Sequence, residues 1–129
     1  MASNNSRPSI LVVDDNQDIL AFLQEILRNS GYHSLTASSG KRALELLLDE
    51  NVDLVVLDYE MPMMNGYDVA QRVKEQRPEM PLILYTGFIE DMPAERLRLF
   101  TGVVAKPDCV ELLNLIAATT QRIRRKPRI

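Results

Sequence analysis

The chain has 129 residues, 46% of them hydrophobic and 26% charged, enough to bury one sizeable core and too few for two ordinary domains. This composition excludes an intrinsically disordered chain, and apolar runs such as Ile10 to Val13 and Leu54 to Leu57 are far too short to cross a bilayer. The formal net charge of -3 is unevenly spread: Arg122, Arg124, Arg125, Lys126 and Arg128 crowd the carboxy-terminal segment, where they read as a solvated helix end complementing the macrodipole and, lacking interleaved aromatics or a second basic patch, not as a nucleic-acid site.

In chain order, residues 1–8 are polar and read as a disordered lead, with neither the apolar core nor the cleavage signal that secretion requires. Ile10 to Val13 is rich in β-branched residues and predicts a buried parallel strand. Ile19, Leu20, Leu23, Ile26 and Leu27 then share one helical face before a stop at Gly31. The mixed pattern of His33 to Ala37 predicts a weaker strand at an edge. Ser38 and Ser39 are capping candidates for a second helix carrying the stripe Ala43, Leu44, Leu47 and Leu48.

Leu54 to Leu57 predicts another buried strand, and Tyr67 to Gln76 a third helix. Leu82 to Tyr85 follows as a strand, then a poorer, short or irregular helix from about Ala94 to Leu99 with Pro93 near its start. Val103 to Ala105 predicts the fifth strand, and a last helix runs from Val110 to about Ile123 through Leu112, Leu113, Leu115 and Ile116. One domain over residues 9–124 is expected, with a basic, frayed tail over 125–129. There is no internal repeat and no low-complexity tract.

Five alternating strands and helices are too few for the eight-fold barrel, so the fold class is an α/β, three-layer (βα)5 doubly wound sandwich. Its parallel sheet is expected in the flavodoxin-like order 2-1-3-4-5, with ligands beyond the carboxyl ends of the strands. Those ends are chemically distinctive: the first strand runs into Asp14 and Asp15, the third into Asp58, the fourth into Thr86 and the fifth into Lys106. In that order Asp14, Asp15 and Asp58 become neighbours, and three crowded carboxylates repel one another unless a cation compensates. An all-oxygen set without histidine or thiolate suits a hard divalent ion, Mg²⁺ above others.

Taken singly, Asp14 and Asp15 would serve as helix caps and Asp58 as a turn residue; their joint placement is what points to a site. Lys106 can pair with a carboxylate at rest and with a phosphoryl oxygen later, and the Thr86 hydroxyl can turn toward the same oxygens. Pro107 suggests a rigid or cis peptide aiming Lys106 at the rim. His33, the sole histidine, lies on the edge strand away from these residues and reads as ordinary surface, while Met61, Met63 and Met64 read as loop and packing residues. A lone Cys109 cannot form an internal disulfide, which fits a reducing, cytoplasmic setting.

The runs Val12-Val13-Asp14-Asp15-Asn16, Leu57-Asp58-Tyr59-Glu60-Met61-Pro62-Met63-Met64-Asn65-Gly66, Thr86-Gly87 and Lys106-Pro107 resemble the receiver domains of two-component signalling, over about Ser9 to Arg122. The resemblance implies that Asp58 accepts a phosphoryl group from a histidine kinase or phosphotransfer protein. It implies that Asp15 binds Mg²⁺ directly, that Asp14 assists through water, that the Glu60 carbonyl completes the protein ligands, and that Lys106 and Thr86 contact the phosphoryl oxygens. The output would be a switched protein-interaction surface for an unidentified target, and a homodimer through the face of helix 4, strand 5 and helix 5 is one use the family makes of it.

The chain departs from the family pattern in two places. Val103 stands where an aromatic commonly follows the threonine inward, with Tyr85 and Phe88 nearby, and the stretch from Gly87 to Ala105 is slightly short. Glu60 and Phe88 would flank the path of a hydrolytic water. Two alternatives stay open: a degenerate receiver that binds without phosphate, and a Mg²⁺-dependent aspartyl phosphohydrolase, against which stand the missing second acid/base and cap segment. The sequence suits a stand-alone module and a piece of a longer regulator or hybrid kinase equally.

Overall fold

Every apolar run singled out above becomes a strand. A computed structural model describes residues 7–87 and 92–125, with side chains through Ile123. Of the expected lead only Arg7 and Pro8 are described, and of the expected tail only the backbone of Arg125; the rest of both, and Phe88, lie outside the described residues. The order is β1 (Ser9–Val13), α1 (Gln17–Asn29), β2 (His33–Ala37), α2 (Gly40–Asp49), β3 (Leu54–Leu57), α3 (Gly66–Gln76), β4 (Leu82–Thr86), α4 (Ala94–Leu97), β5 (Gly102–Ala105) and α5 (Cys109–Arg125).

The strands form one parallel sheet in the order β2-β1-β3-β4-β5, with β2 at an edge as its mixed pattern predicts. Alternation along each strand sorts the core into two layers. Ile10 and Val12 of β1 face α1 and α5 through Leu20, Leu23, Leu27, Leu112 and Ile116. Leu11 and Val13 face the opposite layer, built on Ala43 and Leu47 of α2 and on Val69, Ala70 and Val73 of α3. Each fully buried leucine of α1 contributes about 1.5–3 kcal/mol relative to exposure. Helices this short are therefore held by their apolar faces against the sheet.

Two helices differ from the sequence expectation. Leu48, placed on the stripe of α2, is 71% exposed, because the buried face centres on Gly40, Ala43 and Leu47 and Leu48 lies about 100° round the helix from Leu47, beyond the edge of that face. The expected helix from Ala94 to Leu99 is a single turn ending at Leu97, with no side-chain cap. Pro93 fixes its start, and Leu99 and Phe100 continue in a turn that returns the chain to β4 through Thr101 N–H donating to Leu82 O at 2.7 Å.

At the end of α1, Gly31 has φ +92°, and a Cβ there would meet no atom within 4 Å. Replacing it tests backbone conformation alone. Gly31→Ala is expected to lower stability by about 1–2 kcal/mol, the left-handed cost of an L-residue, read as a lower urea midpoint at unchanged slope.

Candidate functional site

The hydrogen-bonded ladder does not stop where the strands do. Asp14 N–H donates to Ala37 O at 3.1 Å, Asp58 N–H to Val13 O at 3.0 Å, and Lys106 N–H to Thr86 O at 3.0 Å. Each of these residues is thus the first beyond its strand, with its amide tied to the neighbouring one, which fixes its Cα before any side-chain contact is made. Because Val13 pairs with Leu57, the Asp14 and Asp58 side chains emerge side by side. Carboxylate oxygens of Asp14, Asp15 and Asp58 all lie within 4.8 Å of one another, with Asp14 and Asp58 buried and Asp15 exposed.

Lys106 enters this cluster from β5. Its Nζ donates to Asp14 Oδ2 at 2.7 Å and lies 3.4 Å from Asp58 Oδ1, with its own side chain only 20% exposed. The Lys106-Pro107 peptide is cis. Tyr59 N–H donates to the same Asp58 Oδ1 at 2.9 Å. Among the described residues, Lys106 thus pairs with two of the three clustered carboxylates, Asp14 and Asp58, and one ammonium cannot balance all three. That imbalance, the all-oxygen donors and the exposure of Asp15 fit a hard divalent cation.

The helix cap that Asp14 and Asp15 might have supplied comes instead from Asn16, whose Oδ1 accepts from Asp18 N–H at 2.9 Å and from Ile19 N–H at 3.2 Å. Asp14 Oδ1 in turn accepts from Asn16 N–H at 2.9 Å. Both acids are thereby left facing the rim. The return from Asp58 to α3 is equally constrained. Gly66 N–H donates to Tyr59 O at 2.7 Å, and a Cβ at Gly66 would fall 2.4 Å from Asp58 O. Asn65 and Asp68 close a reciprocal capping box at the start of α3. Between Asp58 and Asn65, Met63, fully exposed, takes φ +72°.

Thr86, fully buried, is the last residue of β4, beside the strand that carries Asp58. Glu60 is exposed in the loop after Asp58, and Val103 packs half-buried among the side chains of the α2–α3 layer. His33 is exposed on β2 at the far end of the sheet from the carboxylates, and Cys109 is half-buried at the start of α5. Sequence reasoning missed Arg96: its Nη1 donates to the Tyr59 hydroxyl, and its guanidinium lies 4.7 Å from the centroid of the Tyr67 ring. Nothing in the weak periodicity of residues 94–99 singles it out.

Burial pushes the Asp58 carboxyl above its ordinary value and Asp14 adds to this, while Lys106 and the Tyr59 amide pull it partly back. Like-charge crowding and desolvation thus outweigh the lysine.

With this geometry in view, known proteins give the family. A model of the response regulator receiver domain matches residues 10–117, and the chain belongs to that family. It is 35% identical over 112 residues to the autoinducer 1 sensor kinase/phosphatase LuxN of Vibrio campbellii, an alignment covering 86% of this chain and 13% of that protein. The response regulator protein TrrA of Thermotoga maritima, solved in complex with Mg(2+)-BeF, superposes with a TM-score of 0.82 at 32% identity, covering 87% of this chain and 98% of that one. TrrA in complex with the histidine kinase ThkA superposes with a TM-score of 0.81 at the same 32% identity, covering 87% and 97%.

The raised Asp58 value has a consequence for stability. Below the ordinary carboxylate range the group is protonated in both folded and unfolded chains; as pH rises through the raised folded value, the fold alone resists ionisation and stability is lost. Asp58→Asn is therefore expected to melt higher than the unsubstituted protein near neutral pH, with the gain vanishing below about pH 4. Thermal melts across that range check it.

Proposed function

We propose that this chain is a phosphoacceptor switch: Asp58 takes a phosphoryl group from a phosphohistidine on a histidine kinase or phosphotransfer protein, and the modified domain presents an altered surface to a target protein. The observation that carries this reading is the convergence of Asp14, Asp15 and Asp58 carboxylate oxygens within 4.8 Å of one another, with the Lys106 ammonium on two of them, Asp14 and Asp58. The kinase seen with TrrA supports the choice of donor, and Mg²⁺ in the TrrA complex supports Mg²⁺ as the cation here. Asp14, Asp15, Asp58 and the Glu60 carbonyl are its proposed ligands. When bound, the cation neutralises charge on the carboxylates and the incoming phosphoryl group.

In the proposed transfer, an Asp58 carboxylate oxygen attacks phosphorus, the bond to the donor imidazole nitrogen breaks with its electron pair leaving on nitrogen, and an acyl phosphate forms. Phosphoryl transfer asks the protein mainly for positioning and charge compensation. Tyr59 N–H, on Asp58 Oδ1, orients the nucleophile. Lys106, shared at rest between Asp14 and Asp58, swings to the phosphoryl oxygens, and the Thr86 hydroxyl joins it. Hydrolysis of the acyl phosphate resets the switch, so the domain works as a timed signal in the cytoplasm and not as an enzyme turning over a metabolite.

Incubation with acetyl phosphate and Mg²⁺, followed by intact mass and ³¹P NMR, tests this. One phosphoryl group is expected on the unsubstituted chain, none on Asp58→Asn, and none without Mg²⁺. An unmodified wild-type chain, or modification that survives Asp58→Asn, overturns it.

A further inference from the structure

Helix α4 is one turn long, and such a helix has no stability of its own, because nucleation is unfavourable and few bonds follow. Its backbone bonds close on Pro93, through Arg96 N–H and Leu97 N–H, and no side chain caps its start. Apolar contact through Leu97 and Leu99 holds it to the α2–α3 layer, but apolar contact is non-directional and leaves the turn free to shift. The directional tie is Arg96. Its Nη1 donates to the Tyr59 hydroxyl, and its guanidinium lies over the Tyr67 ring at 4.7 Å, so one half-buried cation grips two tyrosines on either side of the β3–α3 loop. Tyr59 is also the residue whose backbone N–H donates to Asp58 Oδ1 at 2.9 Å and whose carbonyl accepts from Gly66 N–H at 2.7 Å. Tyr59 thus touches the candidate phosphoacceptor with its backbone and α4 with its side chain.

We propose that Arg96 is a positioning residue that couples α4 to the phosphoacceptor loop, so that a change at Asp58 reaches α4 through Tyr59. The coupling rests on the reading of Asp58 as the modified residue. Tyr59 N–H is held by the Asp58 carboxylate and Tyr59 O by Gly66 N–H, so a change of charge and partner at Asp58 alters the first bond while the second holds, and the Tyr59 side chain turns with its peptide. A shift of the Tyr59 hydroxyl draws or releases Arg96, and with it the single turn of α4. The side chain of Val103 has no polar atom with which to make an equivalent connection.

Amide hydrogen exchange over residues 94–100 tests the coupling, with and without beryllofluoride plus Mg²⁺, in the unsubstituted chain, Arg96→Gln and Tyr59→Phe. In the free protein both variants are expected to exchange about tenfold faster there, the size of one charge-assisted hydrogen bond. Adduct formation is expected to change exchange over 94–100 in the unsubstituted chain and to leave both variants unresponsive, although ¹⁹F NMR shows the adduct formed in all of them. A purely structural role would raise the free-state exchange and keep the response. Tyr59→Phe keeps the ring and removes only the hydroxyl, so it carries the test should Arg96→Gln fail to fold. A response retained in Tyr59→Phe, or no response in the unsubstituted chain despite an adduct, overturns the coupling alone. An absent ¹⁹F adduct in the unsubstituted chain overturns the phosphoacceptor reading, and the coupling with it.

Discussion

Parallel pairing of β1 with β3 brings the carboxyl ends of two strands to the same rim, and both strands run directly into aspartates. The register Val13↔Leu57 leaves Asp14 and Asp58 no way to separate, since their amides are held to Ala37 O and Val13 O. Electrostatic repulsion is thereby built into the backbone, and Lys106 compensates only part of it. A buried or half-buried carboxylate without full compensation costs several kcal/mol in this kind of environment. The site is therefore poorer for stability than an apolar rim would be, as expected where function and not packing selects the residues.

The surroundings follow from that constraint. Asn16 takes over the helix cap, so that Asp14 and Asp15 are not drawn into α1. Gly66 permits the loop after Asp58 to fold back against its own backbone, and the Asn65–Asp68 box fixes where α3 begins. Two apolar layers, one built on α1 and α5 and the other on α2 and α3, hold the sheet rigid beneath the rim. Rigid strands with reactive groups just beyond their ends are what positioning chemistry needs.

The buried strands were legible because parallel strands covered on both faces are continuous apolar runs, and Leu54 to Leu57 or Leu82 to Tyr85 are too short for helices and alternate with longer helical stripes. The order of the sheet and the gathering of Asp14, Asp15, Asp58, Thr86 and Lys106 at one rim followed from topology, and the motif segments around Asp58 carried the family. Leu48 was misplaced because a run of adjacent leucines does not reveal which of them lies beyond the edge of the buried face. A short α4 beginning near Pro93 was legible, though not that it stops at Leu97, and the grip of Arg96 on Tyr59 and Tyr67 was not legible at all. Arg96 lies 37 residues from Tyr59, and neither propensity nor periodicity encodes a contact between a surface-type cation and distant aromatic side chains.

What most needs testing is that negative charge left over at the rim makes a site for a divalent cation. Thermal denaturation of the unsubstituted chain and of Asp15→Asn, titrated with Mg²⁺, measures it directly. Mg²⁺ is expected to stabilise the unsubstituted chain by about 2.7 kcal/mol at a hundredfold excess over its dissociation constant, and Asp15→Asn to lose most of that gain while folding normally. A melting temperature indifferent to Mg²⁺, or one that rises equally in the variant, would contradict the assignment of these three aspartates to a cation site.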